Sequence, residues 1–363
     1  MTPALLLLVL PLFLVLNACL NIFFVRRPKN IFSEVSLSVA VIVPLRNEEK
    51  NVAALISCLR KQRGVRELSF HFLDDNSSDD TYELVAAQIL DDPRSMIYRG
   101  AELPNEWLGK PFALDQLVGS TSSQIVVMMD ADVRLEEDAV ARAIATMQEN
   151  NLDFVSPYPK QVALSWSERL IQPLLQWSWM STVPLKIAQR SSNPAFAVAN
   201  GQFFIVRRES LLAIGGISSI KSEIIDDIAL ARNLLRGGFH GCVVDGSEIA
   251  TCRMYSSWSQ LREGYSKSLR VAFGGLSGSF LAIALLFVSG VLPFLVALTV
   301  PSLSAYGWIG YDAVVISRVL SAQATQGRVR DALLHPLAVV LLIFLIVRSW
   351  AMRGKTQWKG RVI

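Results

Sequence analysis

The chain has 363 residues, of which 52% are hydrophobic and 18% charged, with a formal net charge of +4. A mean hydropathy of +0.37 excludes an ordinary soluble globular protein, and the small basic balance makes no case for nucleic-acid binding. Four cysteines without a C-x-x-C pair and three scattered histidines argue against a zinc site and suit free thiols in a reducing compartment.

The first element is an uncharged run, Leu5 to Val25, long enough to cross a bilayer as a helix. No charged side chain precedes it, and Arg26, Arg27 and Lys29 follow at once. The positive-inside rule then puts the N-terminus outside and the next domain in the cytosol. A secretory signal would carry a basic n-region, and so would a lipoprotein signal, hinted at by Leu16-Asn17-Ala18-Cys19; the run therefore reads as an uncleaved anchor. The basic cluster reads as a contact to anionic headgroups.

Residues 36–275 form the polar part of the chain, between an anchor at 1–30 and an apolar region at 276–363. Strand and helix patterns alternate. Ser38–Pro44 reads as a buried strand, and Glu48–Lys61 as a helix with Val52, Leu55, Ile56 and Leu59 on one face. Glu67–Leu73 is the next strand, Asp79–Leu90 a helix with an acidic first turn, and Lys110–Val118 a short helix. Gln124–Met129 is a strand and Glu136–Gln148 a helix. The expected fold class is α/β with a mostly parallel sheet.

Three strand ends carry polar loops: residues 44–49 (Pro-Leu-Arg-Asn-Glu-Glu), 74–79 (Asp-Asp-Asn-Ser-Ser-Asp) and Asp130-Ala131-Asp132. Parallel neighbours would bring these loops to one edge, where α/β sheets bind ligands. The two carboxylates Asp130 and Asp132 suit a hard divalent cation shared with phosphate, or, alternatively, one of them is a helix N-cap. A nucleotide carrying a diphosphate and a metal fits this inventory.

Downstream, Trp166, Leu170, Leu174, Trp177 and Trp179 form an aromatic-rich amphipathic stretch that reads either as a surface lying on the bilayer or as a core helix. Phe280–Val300 and Pro336–Trp350 are expected spans. Tyr306–Ala324, interrupted by Asp312 and Arg318, reads as a third span or an interfacial helix. The basic tail, Arg353, Lys355, Lys359 and Arg361, favours a cytosolic end and hence two C-terminal spans. The whole is expected in the cell membrane, multi-pass, with its catalytic domain cytosolic.

Val41–Glu49, Leu73–Thr81 and Met129–Val133, in this order, resemble a family 2 glycosyltransferase of GT-A fold. Trp107-Leu108-Gly109-Lys110-Pro111, Asn200-Gly201-Gln202-Phe203-Phe204 and Glu223-Ile224-Ile225-Asp226-Asp227 resemble further stretches of the family. The anchor–domain–anchor layout with Arg253-Met254-Tyr255, Gly264–Leu269 and Trp358-Lys359-Gly360-Arg361 is similar to bacterial enzymes that glycosylate carotenoid or hopanoid-type lipids, close to ceramide glucosyltransferases.

The resemblance implies a nucleotide-sugar donor, expected to be a UDP-sugar, and Mg²⁺ or Mn²⁺ held through Asp132 with Asp130 towards the ribose. It implies a donor pocket from Pro44, Arg46, Glu48, Asp75 and Asp130, and a lysine, Lys110, near the diphosphate. Asp74 and Asp79 serve the pocket or cap turns and helices. Asp227 is the implied general base and Asp226 its neighbour, either of them also able to cap a helix start. Direct displacement by one base implies inversion, with a membrane lipid hydroxyl as acceptor. Processive relatives carry Gln-x-x-Arg-Trp. This chain has Arg262–Lys267 there, which disfavours the polysaccharide synthase reading, although that reading and a polyprenyl-phosphate acceptor stay open. It also leaves Lys267 as a diphosphate contact or a membrane-boundary residue.

Overall fold

The computed structural model describes residues 3–30, 34–353, 357–358 and 361–362; Lys355, Lys359 and Gly360 of the expected tail lie outside the described residues. The chain divides into two compact units. One gathers Arg26–Lys160 and Ile187–Arg253; the other gathers the described parts of Met1–Val25, Gln161–Lys186 and Met254–Ile363. The polar domain expected over 36–275 is therefore interrupted at Gln161–Lys186, and its compact unit closes at Arg253.

The first unit holds the strands β1 (Val35–Leu45), β2 (Val65–Asp74), β3 (Ser95–Arg99), β4 (Ile125–Met129), β5 (Val133–Leu135), β6 (Phe154–Tyr158), β7 (Phe203–Arg207), β8 (Gly241–Asp245) and β9 (Ala250–Cys252). Seven of them form one sheet in the order β3-β2-β1-β4-β7-β6-β8, while β5 pairs with β9. Val39 to Val43 and all of β4 are buried, which is why both read as unbroken apolar runs rather than as alternating ones. The helix Glu49–Arg60 buries Val52, Leu55, Ile56 and Leu59, one stripe at 3.6-residue spacing.

β1, β2 and β4 are parallel neighbours, with Leu45 opposite Asp74 and Ile42 opposite Met128. Their three polar loops thus leave the same edge, as expected. β7 is antiparallel to β4, with Met129 opposite Phe203. Its start therefore meets this edge, and Asp130 N–H donates to the Gln202 carbonyl at 3.1 Å. Deeper in the sheet the Phe154 and Phe204 rings stack at 5.5 Å. Gly241 is opposite Phe154, and a Cβ there would lie 2.3 Å from the ring.

The second unit is helical. Its helices are Pro3–Phe24, Trp166–Thr182, Trp258–Ala272, Leu276–Gly290, Leu292–Thr299, Ser304–Ala324 and His335–Ala351. Among the described residues, two segments are long and apolar enough to cross a membrane, Leu7–Phe24 and Val329–Ala351; Trp258–Ala272 and Leu276–Gly290 qualify only as a pair bent by 109°. The span expected over Phe280–Val300 is broken at Val291 into helices of 15 and 8 residues. The longer is about 22 Å, short of the ~30 Å hydrocarbon core.

The Trp-rich stretch is a core helix. Leu170, Leu174, Trp177 and Trp179 are buried, Trp177 Nε1 donates to Ser317 Oγ at 2.7 Å, and Trp166 stays exposed. Ser304–Ala324 is one continuous helix with Arg318 buried, because Asp312 and Arg318 do not interrupt it. Asn21 Nδ2 donates to the carbonyls of Met180 and Val183, fastening the N-terminal helix to the Trp helix. Arg27 is paired with buried Asp245 at 3.0 Å, and Arg26 donates to the Cys242 thiol.

Candidate active site

The loops after β1 and β2 brace each other. Asn47 and Asn76 both adopt positive φ, 51° and 53°, a region that Asn tolerates better than most residues. Asn47 Oδ1 accepts the Ser78 N–H at 2.8 Å, and Arg46 Nη1 donates to the carbonyls of Asp75 and Asn76. Asp75 is buried, its N–H held by the Leu45 carbonyl, its carboxylate 3.9 Å from Arg46. Asp79 accepts from Thr81 and from the Glu49 N–H, and Asp74 from the Ser77 N–H. These two shape the turns; Arg46 and Asp75 hold the two loops together.

Beyond β4 the carboxylates collect. Asp130 receives Lys110 Nζ at 2.8 Å, and the same ammonium lies 3.5 Å from Asp226. Flanking carboxylates raise the Lys110 ammonium above its ordinary value against the opposing effect of burial. The helix Asp226–Arg236 opens without a side-chain cap from Ile225. Asp227 Oδ2 accepts the Gly201 N–H at 2.7 Å and Oδ1 the Ile228 N–H at 2.8 Å, so the residue holding the helix start is Asp227, while Asp226 faces Lys110. Burial, then the Asp226 charge, push the Asp227 carboxyl up to about 6, against Lys110 and the two N–H donors. Pro44, Lys110, Met129, Asp130, Asp226 and Asp227 line one cleft with the start of β7.

Asp132 carries the strongest mark of a metal ligand. Burial first, then Asp130 and Glu48, push its carboxyl up to about 7, and its Oδ1 is buried without a hydrogen-bond partner. An acceptor-only group held beside like charges fits a divalent cation. Among the described residues no three His, Cys, Asp or Glu side chains are grouped to hold a metal alone. An ion on Asp132 and Asp130 would therefore complete its shell from phosphate oxygens and water, as Mg²⁺ habitually does.

Cys252 was not foreseen. It lies opposite Val133 across the β5–β9 pair and its thiol hydrogen-bonds Asp132; no spacing pattern in the sequence announces this, since the two meet only through strand register. Lys267 lies on the helix Trp258–Ala272 of the helical unit, outside the unit that holds the other candidates.

Gly201 fits closely between two of the candidate groups: a Cβ would lie 3.2 Å from Lys110 Nζ and 3.3 Å from Asp227 Cβ. Gly201→Ala is expected to lower kcat/KM about tenfold, ~1.4 kcal/mol of transition-state stabilisation, by displacing Lys110 from Asp130. The melting temperature should barely change. Steady-state kinetics beside a thermal melt checks this, and unchanged kcat/KM would show that the groups give way freely.

A mostly parallel sheet with one antiparallel strand between parallel ones, bearing an acidic cleft at its strand ends, has the architecture of the GT-A fold. Residues 40–215 match the glycosyl transferase family 2. The protein is a glycosyltransferase. It is 24% identical over 344 residues to the 4,4'-diaponeurosporenoate glycosyltransferase of Staphylococcus aureus, covering 89% of this chain and 88% of the relative. A mannosyltransferase from Pyrobaculum calidifontis, solved with GDP-Man and Mn²⁺, superposes with a TM-score of 0.57 at 18% identity, over 94% of each chain.

Proposed function

We propose that the protein transfers one sugar from a nucleoside diphosphate sugar to a hydroxyl of a membrane lipid, with inversion, at the cytosolic face of the membrane. The observation that carries this reading is the excess of carboxylates in the cleft. Asp130, Asp226 and Asp227 line the cleft with the one ammonium of Lys110, and Asp132 and Glu48 add carboxylates beside Asp130. Such a site repels a bare diphosphate and accepts one that arrives with a divalent cation.

Asp130 and Asp132 would hold that cation, which as a Lewis acid would stabilise charge developing on the leaving diphosphate. Lys110 adds positive charge on the same side. Asp227 takes the acceptor proton as the acceptor oxygen bonds to the anomeric carbon, and the bond from that carbon to the diphosphate oxygen breaks with its electron pair. One displacement inverts the centre. The S. aureus relative supports a carotenoid-like acceptor, and the apolar helices supply a lipid-facing part of the same chain. The mannosyltransferase neighbour takes a GDP-sugar, so the expected UDP-sugar is one of two bases to be tried.

The test is a detergent-solubilised full chain given lipid extract, Mn²⁺, and UDP- or GDP-sugars in turn. A single-sugar lipid of inverted anomeric configuration is expected. A polymer ladder would favour the processive alternative, a glycosylated polyprenyl phosphate the other, and donor consumption without any lipid product would remove the lipid reading.

Orientation is tested separately. Arg26, Arg27 and Lys29 after the first span support a cytosolic sheet unit. A cysteine at exposed Glu102, with Cys19 and Cys58 changed to Ser and buried Cys242 and Cys252 retained, should resist an impermeant thiol reagent in intact cells and react after lysis. Labelling of intact cells reverses the topology.

A further inference from the structure

The helical unit contains a cavity of its own, lined among others by Pro173, Gln176, Arg318, Ser321, Thr325 and Arg328. Arg318 and Gln176 are 3% and 5% exposed, and Arg318 Nη1 and Gln176 Nε2 are buried with no hydrogen-bond partner. Both are donors. Buried donors without acceptors are rare, and a buried guanidinium without one rarer still. Asp331, the carboxylate that acts on Arg318, is already held by Arg169 at 3.1 Å and Arg328 at 3.2 Å. Ser321 and Thr325 donate their hydroxyls to carbonyls of their own helix. Three guanidiniums thus share one carboxylate, and Arg318 Nη1 and Gln176 Nε2 are left without an acceptor in the cavity wall.

A guanidinium and an amide N–H on one cavity wall are the recognition chemistry of a compact oxyanion. The position narrows its source. Gly327 and Arg328, on the cavity rim, join the helix Ser304–Ala324 to the candidate span Val329–Ala351. A span's end is where phosphate headgroups lie, and basic pockets between helices there hold them.

We propose that this cavity is a phosphate-binding site, filled by the headgroup of an anionic phospholipid or by free phosphate, and separate in role from the donor diphosphate. The full chain would be titrated with inorganic phosphate in detergent, and reconstituted into phosphatidylcholine nanodiscs with and without phosphatidylglycerol, reading thermal shift and bound lipid by native mass spectrometry. The wild type is expected to bind one phosphate group. Arg318→Gln should weaken it tenfold or more, Gln176→Leu several-fold, and Arg318→Lys should fall between. Stabilisation by phosphatidylglycerol alone assigns the site to a headgroup; equal stabilisation by inorganic phosphate assigns it to the free ion. Absence of both in the wild type, or undiminished binding by folded Arg318→Gln, overturns the proposal. Should that variant not fold, Gln176→Leu decides, and unchanged binding in it is equally fatal.

Discussion

Asp132→Asn is expected to remove nearly all sugar transfer and, in the metal-free protein, to raise the melting temperature. Burial and the neighbouring Asp130 and Glu48 push this carboxyl from 3.8 up to about 7. A group whose pKa is raised by folding stabilises fully below its unfolded value and loses that contribution as pH rises through its folded value. At pH 8 the ionised side chain therefore opposes folding, and a neutral amide of the same shape does not. The gain is on the order of 1 kcal/mol after solvent screening, or ~2–4 °C. Metal binding needs the ionised form and offsets the repulsion, so the same substitution removes the ligand the cation requires. Thermal melts at pH 8 in EDTA, beside Mn²⁺-dependent transfer, check both halves. Wild-type activity persisting after exhaustive metal removal would falsify the metal role, and a lowered melting temperature would show that Asp132 is structurally satisfied without an ion.

The sheet edge was legible in the sequence because central parallel strands are apolar along their whole length and stop abruptly at polar residues. Val39–Val43 ends near Arg46 and Glu48, and Ile125–Met129 ends at Asp130, so the candidate residues are those that interrupt the apolar run. Pairing geometry was not legible. Phe203–Arg207 reads like any other buried strand, and nothing local states that it enters antiparallel and so presents its first residues, Gly201 and Gln202, to Asp130. Cys252 beside Asp132 depends on register in the same way.

The membrane part shows a different limit. Hydropathy sees composition but not breaks: Phe280–Val300 is apolar throughout, yet the helix ends at Gly290 with Pro293 starting the next. Arg318 and Asp312 lowered the apparent apolarity of a helix that is continuous; Arg318 is buried and Asp312 exposed. The Trp-rich stretch met the same difficulty, since buried and interface-lying tryptophans share one amphipathic pattern. Which of Asp226 and Asp227 holds the helix start was open in the sequence for a simpler reason: adjacent residues point in different directions from one helix start, and only the fold decides that Asp227 meets Gly201 and Asp226 meets Lys110.

Asp227→Asn is expected to leave nucleotide affinity near normal and to reduce transfer by about 10²-fold or more, the lower end of what a positioned base contributes. Both oxygens of Asp227 accept a backbone N–H, yet each carboxylate oxygen has a second lone pair, so accepting a proton from the acceptor remains open. A base must be ionised to act. With its carboxyl pushed to about 6, chiefly by burial and then by Asp226, the wild-type rate should climb as pH rises through about 6 and level off above it. The neighbours set the direction of two further shifts. Asp226→Asn removes a like charge, so the rising limb should move to lower pH; Lys110→Met removes the cation that favours ionisation, so it should move higher. Asp226→Asn also frees Lys110 to bind Asp130 alone, which predicts a milder loss of rate than Asp227→Asn. Transfer rates from pH 4.5 to 8.5 for the three variants, with nucleotide binding by calorimetry, separate the roles. If Asp226→Asn is the inactive one while Asp227→Asn transfers normally, the base is Asp226 and Asp227 serves only to fasten Gly201 to the helix; if both transfer at the wild-type rate, neither carboxylate takes the proton.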